Sequence, residues 1–390
     1  MNRRRAATAI LVTLSALGMG LSGCSSSVWG APEDEKLGEG KYALCFSKQS
    51  SAMDGKHQDG KVVIANQDGS FSEIKTWGMD TCSMAWNEAG LFFSDTRNDY
   101  RLDNAGLTTI SSEKTDSQYG MLATSSDTAV GIYNLGFSET GYTTQVVTTS
   151  GTTSTKKEIE GGYFIVSKCD GAVYGMGIGT GPYSTTGDPE TEPMVLNQLT
   201  GTADGKEKNV GSSNEAREGI TLEDAPCIGG KIYYISDAKR GGLDASAQPV
   251  LSSWDVDTGK YESHPLVTED KNLTLFRQDG TGFPYVASGS VNNGALEWLG
   301  AGNSIMSTEL KNGNTKQRFT VEGYRNDSAT SKAVFTENEV IVLVDNNDGS
   351  NFRIARYDRI TGKELGRTVL DVRPDKLSDG MFFRGFAAKP

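Results

Sequence analysis

Histidine is nearly absent: the 390 residues contain two, His57 and His264. Imidazole acid–base chemistry, Ser-His-Asp triads and His-rich metal sites therefore have almost nothing to work with. His57 falls in the polar turn GKHQDGK and His264 in YESHPL, which reads as an outer strand, so both are expected at the surface. Basic charge is also short, with 38 Lys and Arg against 50 Asp and Glu and a net charge of −12. Three of the basic residues are Arg3, Arg4 and Arg5, so a chain without residues 1–23 carries 35 basic against 50 acidic side chains, a net charge of −15. That balance repels nucleic acid and anionic lipid, because binding either by charge needs a basic stripe that displaces counterions. The catalytic signatures G-x-S-x-G, H-E-x-x-H and G-x-x-x-x-G-K-[ST] are missing. Past the N-terminus no run of 18 apolar residues occurs, so no spanning helix is expected there.

What is present begins with an address. Arg3-Arg4-Arg5 forms a cationic start, and Ala6 to Gly18 (AATAILVTLSALG) is an apolar stretch too short for a stable span, which together read as a cleavable export signal. It ends in Leu21-Ser22-Gly23-Cys24, which resembles the bacterial lipobox. The resemblance implies cleavage before Cys24 and acylation of its thiol. The expected division is a signal over residues 1–23, a flexible acidic tether over 24–40 (SSSVWGAPEDEKLGEG after Cys24), and one domain over 41–390. Several acyl chains would hold such a protein on a membrane facing outside the cytoplasm.

From Lys41 onward helical periodicity is hard to find. Short runs rich in Val, Ile, Tyr, Phe and Thr alternate with Gly, Asn, Asp and Ser clusters, as in KVVIANQDG, AGLFFSD, KIYYISD and EVIVLVD. This is the pattern of many short antiparallel strands, and a repeat of roughly 40 to 50 residues with four strands per unit predicts propeller blades. Units are expected at about 80–113, 119–161, 162–211, 218–267, 282–323 and 328–372. Three strands at the start (KYALCFS, GKVVIANQDG, FSEIKTWG) and one at the end (GMFFRGFAAK) then complete a seventh blade, with the last strand innermost, and the fold class is all-β, a seven-bladed β-propeller closed by the C-terminal strand. An eight-bladed ring or a pair of sandwiches fits the same spacing.

Two turns carry a signature. Asp255-Val256-Asp257-Thr258-Gly259-Lys260 and Asp358-Arg359-Ile360-Thr361-Gly362-Lys363 resemble the D-x-x-T-G-K turn of quinoprotein-type propeller repeats, found also in the propeller lipoprotein of the outer-membrane barrel-assembly machinery. LKNGNTK and LTGTADGK are weaker echoes. Tyr261 and Leu365 stand where that family has Trp, and its propellers generally have eight blades. The resemblance implies fold and transfers no catalytic role.

Setting Cys24 aside leaves Cys45, Cys82, Cys169 and Cys227, an even number in a chain read as exported. The blade map puts Cys45 and Cys82 in blades one and two, and Cys169 and Cys227 in blades four and five, so the expected disulfides are Cys45–Cys82 and Cys169–Cys227. Four buried thiols are the competing reading. Zinc is disfavoured because no C-x-x-C spacing occurs.

Candidate binding residues come from position. Asp95 (LFFSD), Asp237 (YYISD) and Asp345 (VLVD) each end the second strand of a blade, so all three belong on one face around the channel, as turn caps or as an acidic rim for a cation or basic ligand. Long connections over 179–193, 238–249, 211–218 and 268–282 belong to the same face, where binding is expected. Asp345-Asn346-Asn347-Asp348-Gly349 has the composition of a calcium loop without its register. No metal, cofactor or catalytic residue is therefore expected. The leading expectation is a non-enzymatic binding or scaffold lipoprotein with a protein or envelope-component partner. The alternative is a propeller lyase, glycosidase or quinone-dependent dehydrogenase using channel carboxylates.

Overall fold

A computed structural model describes residues 36–48, 59–138, 141–179, 192–217, 224–237, 249–270, 275, 285–300, 304–323, 332–345, 351–372 and 381–390. The export signal, Cys24 and most of the tether lie outside the described residues. So do His57, residues 346–350 and most of the long connections.

All described regular structure is strand. In chain order it begins with β1 (Tyr42–Lys48), β2 (Asp59–Ala65) and β3 (Phe71–Trp77). Blade two is β4 (Ala85–Asn87), β5 (Gly90–Ser94), β6 (Asn98–Leu102) and β7 (Leu107–Ser111). Blade three is β8 (Gln118–Ala123), β9 (Thr128–Ser138), β10 (Gly141–Ser150) and β11 (Thr153–Glu160). Blade four is β12 (Gly162–Cys169), β13 (Ala172–Ile178), β14 (Met194–Gln198) and β15 (Lys208–Ser213). Blade five is β16 (Cys227–Ile228), β17 (Lys231–Asp237), β18 (Pro249–Asp255) and β19 (Tyr261–Pro265), with His264 in its outermost strand as expected. Blade six is β20 (Val291–Asn292), β21 (Ala295–Leu299), β22 (Ser304–Glu309) and β23 (Thr315–Thr320). Blade seven is β24 (Lys332–Phe335), β25 (Glu339–Asp345), β26 (Phe352–Asp358) and β27 (Glu364–Leu370). The last strand, β28 (Met381–Ala388), pairs antiparallel with β1 from Tyr42↔Ala388 to Lys48↔Met381 and completes blade one as β28-β1-β2-β3. The fold is thus the seven-bladed ring of four-stranded antiparallel sheets expected from the sequence, closed by its C-terminal strand.

Each blade is buried on both sides, so alternation along a strand sends successive side chains to different neighbours. In β1, Ala43 and Cys45 pack toward blade two with Leu91 and Phe93, while Tyr42, Leu44 and Phe46 pack toward blade seven with Leu343 and Ile354. The core is therefore a series of apolar layers between blades. Two layers are stapled. Cys45 is bonded to Cys82 across 6.4 Å between Cα atoms, and Cys169 to Cys227 across 5.4 Å. Cys82 stands three residues before β4, in the segment entering the inner strand, not within the strand itself. The staples close sequence separations of 37 and 58 residues, worth about 4 kcal/mol each on a chain-entropy estimate. Replacing Cys169 and Cys227 together by Ser is expected to lower stability by about that amount. Equilibrium unfolding of the variant checks it, and non-reducing peptide mapping that returned any other linkage would break the blade assignment.

The alternating strand directions give the ring two distinct faces. The tight hairpins between first and second and between third and fourth strands lie on one, here the turn face. Connections from second to third strands and from blade to blade lie on the other, the link face. On the turn face the two signature turns are superimposable in their bonding. Asp255 Oδ1 accepts from Thr258 N and Oγ1, both at 2.8 Å, and Asp358 Oδ1 accepts from Thr361 N and Oγ1, both at 2.7 Å. These bonds hold both carboxyls below the usual aspartate range.

The glycine of such a turn also meets the preceding blade. Gly259 has φ 69° and a Cβ there would stand 2.1 Å from Val210 O; Gly313 has φ 77° and a Cβ would stand 2.2 Å from Pro265 O. Gly259→Ala and Gly313→Ala are expected to cost about 2 to 3 kcal/mol each, left-handed strain plus the backbone clash. Gly205, with φ 73° and no atom within 4 Å of the added carbon, should cost only about 1 kcal/mol as Ala. Equal losses at all three positions in thermal melts would show that blade contact contributes nothing.

Candidate functional site

The link face gathers the sequence-derived candidates without assembling them. Asp95 follows β5, while Asp237 and Asp345 end β17 and β25, so the topology puts all three on the link face as expected, but in blades two, five and seven, no two of them adjacent. Asp95 is fully buried. Its Oδ1 accepts from Arg97 N at 2.8 Å and Asn98 N at 2.7 Å, and its Oδ2 from Trp77 N at 2.9 Å and Tyr100 Oη at 2.6 Å. Burial pushes this carboxyl above the usual range against the pull of those four bonds. Asp95 is thus a turn cap that ties blade two to the end of β3, and this corrects its candidacy as part of an acidic rim. The lock continues inward. The Lys114 ammonium, fully buried, sits 3.1 Å from Asp99 Oδ1 and donates to the carbonyls of Asp95, Asn98 and Ser112. Asp237 is also buried, 6% exposed, opposite Pro249 in the β17–β18 pair. Asp345 pairs with Phe352 at the corresponding end of β25.

One space between the inner strands, among the described residues, is small. Cys82, Ser83, Met84, Gly120, Met121, Asp224 and Phe386 enclose about 20 Å³, room for one water. Asp224 supplies the one carboxylate in that lining. Among the described residues no group of three His, Cys, Asp or Glu side chains is arranged to hold a metal ion.

A different feature dominates the link face. β9 and β10 run 11 and 10 residues, but β8 pairs with β9 only as far as Tyr133, so the outer part of the hairpin projects past its own blade. A bulge at Thr143/Thr144 resets the alternation, with Gly136 at φ 94°, and brings Phe137 directly opposite Tyr142. Their rings meet edge to face with centroids 5.2 Å apart. Tyr142 then meets Phe164, near the start of β12, at 6.5 Å, and Phe164 meets Tyr119, near the start of β8, at 6.0 Å. First strands start on the link face, so this row of four rings descends from the hairpin tip to the channel mouth. Phe137 is 73% exposed and Tyr142 37%. At the inner end, burial pushes the Tyr119 hydroxyl up to about 12. Across the mouth Phe382 of β28 is half exposed, with the Arg384 guanidinium 5.4 Å from its ring and 3.6 Å from Asp80.

Edge-to-face pairs of this kind contribute about 0.5 to 1.5 kcal/mol beyond burial, which orders the row before anything docks on it. Large exposed aromatics clustered on one face mark interaction sites. The sequence held a signal for this row: two aromatics flank the short polar stretch SETG in YNLGFSETGY, beside the longest of the described strands. The long connections expected to carry binding are mostly outside the described residues.

Solved structures similar to this chain include a luciferin-regenerating enzyme, at 16% identity over 80% of this chain and 95% of that one with a TM-score of 0.39. Others are a quinoprotein alcohol dehydrogenase-like protein from Bacteroides thetaiotaomicron (8% identity, 90% of this chain and 91% of that one, TM-score 0.46) and an oligogalacturonate lyase in complex with manganese (14%, 85% and 91%, TM-score 0.41). At such low identity and TM-score these likenesses carry no argument about activity. No curated protein matches the chain. The family model of the YycP beta-propeller domain matches residues 35–373, nearly the whole ring, and this chain belongs to that family.

Proposed function

We propose that the chain is an exported, lipid-anchored, non-enzymatic binding module whose link face holds a protein or envelope component. The observation that carries the reading is the row Phe137, Tyr142, Phe164 and Tyr119 beside the channel mouth, exposed at its outer pair Phe137 and Tyr142 and half-buried at its inner end. The space of about 20 Å³ beside Asp224 has no room for a sugar, which counts against a lyase or glycosidase site at that point between the inner strands. The two disulfides suggest an oxidising compartment outside the cytoplasm, in keeping with an export signal. Among the described residues no helix is long and apolar enough to cross a membrane. The anchor itself rests on the sequence from Arg3 to Cys24.

Geometry gives the reading an orientation. Leu37 N donates to Asp103 O at 3.0 Å, just past the end of β6, and Lys41 leads into the start of β1, so the described chain enters at the turn face. A lipid on Cys24 would hold that face toward the membrane and present the aromatic row away from it.

Two measurements test this. Cys24→Ala is expected to move the protein from the membrane to the soluble fraction; a variant that stays on membranes through a high-salt wash refutes the anchor. A photo-reactive residue at position 137 is expected to form in-cell crosslinks, and one at Ile360 on the turn face to form none. Crosslinks confined to position 360 would assign binding to the wrong face.

A further inference from the structure

The turn face of blade six carries a groove of about 860 Å³, and we propose that it binds a neutral polyhydroxylated ligand, an oligosaccharide. Its walls are the β20–β21 hairpin, the β22–β23 turn with the strand that follows, and Val267 to Asp270, where blade five's exit runs alongside. That exit is fixed to the turn: Val267 N donates to Gly313 O at 3.0 Å, and Thr315 N to Val267 O at 2.7 Å. The groove is therefore held open by backbone bonds between blades and stands ready before a ligand arrives.

The lining chooses the ligand chemistry by elimination. Among the described residues four carboxylates face three basic side chains, so neither a strong anion nor a strong cation is favoured. The strongest charges are already matched to each other. Glu297, 2% exposed, holds Arg359 at 2.6 Å on one oxygen and Arg318 on the other, and Arg318 also donates to the carbonyls of Arg359 and Ile360, both at 2.9 Å. Among the described residues no aromatic ring lines the groove, which argues against a nucleobase or other flat ligand, and Val267 and Ala295 are too little apolar surface for the side chains of a peptide. What is left is amide. Asn292, Asn293, Asn314 and Gln317 line the groove, and their side chains make no hydrogen bond to any described residue. Each offers two N–H donors and a carbonyl acceptor, the pairing that a ligand of many hydroxyls can use at both ends. The volume lies within the range of small-molecule sites.

The test is calorimetric titration of the full-length chain with three neutral probes: chitohexaose, cellohexaose and maltohexaose. At least one is expected to bind with Kd tighter than about 1 mM. The double variant Asn292→Ala, Gln317→Leu is expected to weaken it at least about fivefold, the loss of one or two hydrogen bonds, with an unchanged melting temperature. Phe137→Ser, on the opposite face, should leave it unchanged. No binding by any of the three probes overturns the proposal, as does binding that the double variant leaves intact. A casein-digest peptide pool that binds where the saccharides do not, and is lost in the same variant, reassigns the groove to peptide and also overturns it.

Discussion

Removal of Met381–Pro390 is expected to leave no folded propeller. These residues form the inner strand of the first blade, where Met381, Phe386, Ala387 and Ala388 are buried and β28 pairs along the whole of β1. Without them β1 becomes an exposed edge at the channel, and Tyr42 and Phe46 lose the aromatic partners Phe386 and Phe383. Burying Met381 and Phe386 is worth about 3 to 6 kcal/mol and the two alanine methyls about 1 kcal/mol more, a large part of the whole stability of an ordinary domain. The deletion should therefore appear as loss of the cooperative thermal transition and recovery in aggregates, as expected for an unpaired edge. A soluble truncated protein melting within a few degrees of the intact chain would mean that the ring closes some other way.

Glu297→Ala is expected to be the most damaging single substitution. Glu297 and Arg359 are 2% and 4% exposed, and Arg359 also donates to Gly289 O at 2.9 Å, so this one carboxylate neutralises cations where blades six and seven meet. Removing it leaves Arg359 buried without a counter-charge, a cost of about 3 to 5 kcal/mol. The same argument gives an unusual control. Replacing the triad as a set, Glu297→Leu with Arg318→Met and Arg359→Met, should recover most of that loss, because no charge is then left to desolvate. Denaturant midpoints of the two variants decide it. If the single variant unfolds with the wild type, or the triple variant is worse than the single, then buried charge is not what holds these blades together.

The sequence by itself determined the architecture, because a propeller writes its fold in local terms. Short β-branched runs, turn glycines and a repeated strand count are all read within one blade, and β28 could be assigned because GMFFRGFAAK is too apolar for a free end while the first blade is one strand short. The disulfides followed from the same map, since each pair joins blades that are neighbours in sequence. The signature turns cap as their residues dictate, Asp accepting and Gly at positive φ, because each capping bond spans only three residues.

What only the tertiary structure decided are features built from several blades at once. Asp95 reads as a rim candidate in sequence and becomes a buried cap because Trp77 N, from the preceding blade, reaches its second oxygen. The aromatic row draws on blades three and four, and depends on a bulge that puts Phe137 and Tyr142 side by side, a one-residue register change that composition does not encode. The Glu297 triad joins residues separated by 21 and 62 positions, and the groove on blade six is walled partly by blade five. Local sequence sets the direction and hydrogen bonding of each strand, but the angle and spacing at which neighbouring blades pack set which side chains meet between them, and the candidate sites of this protein lie at those junctions.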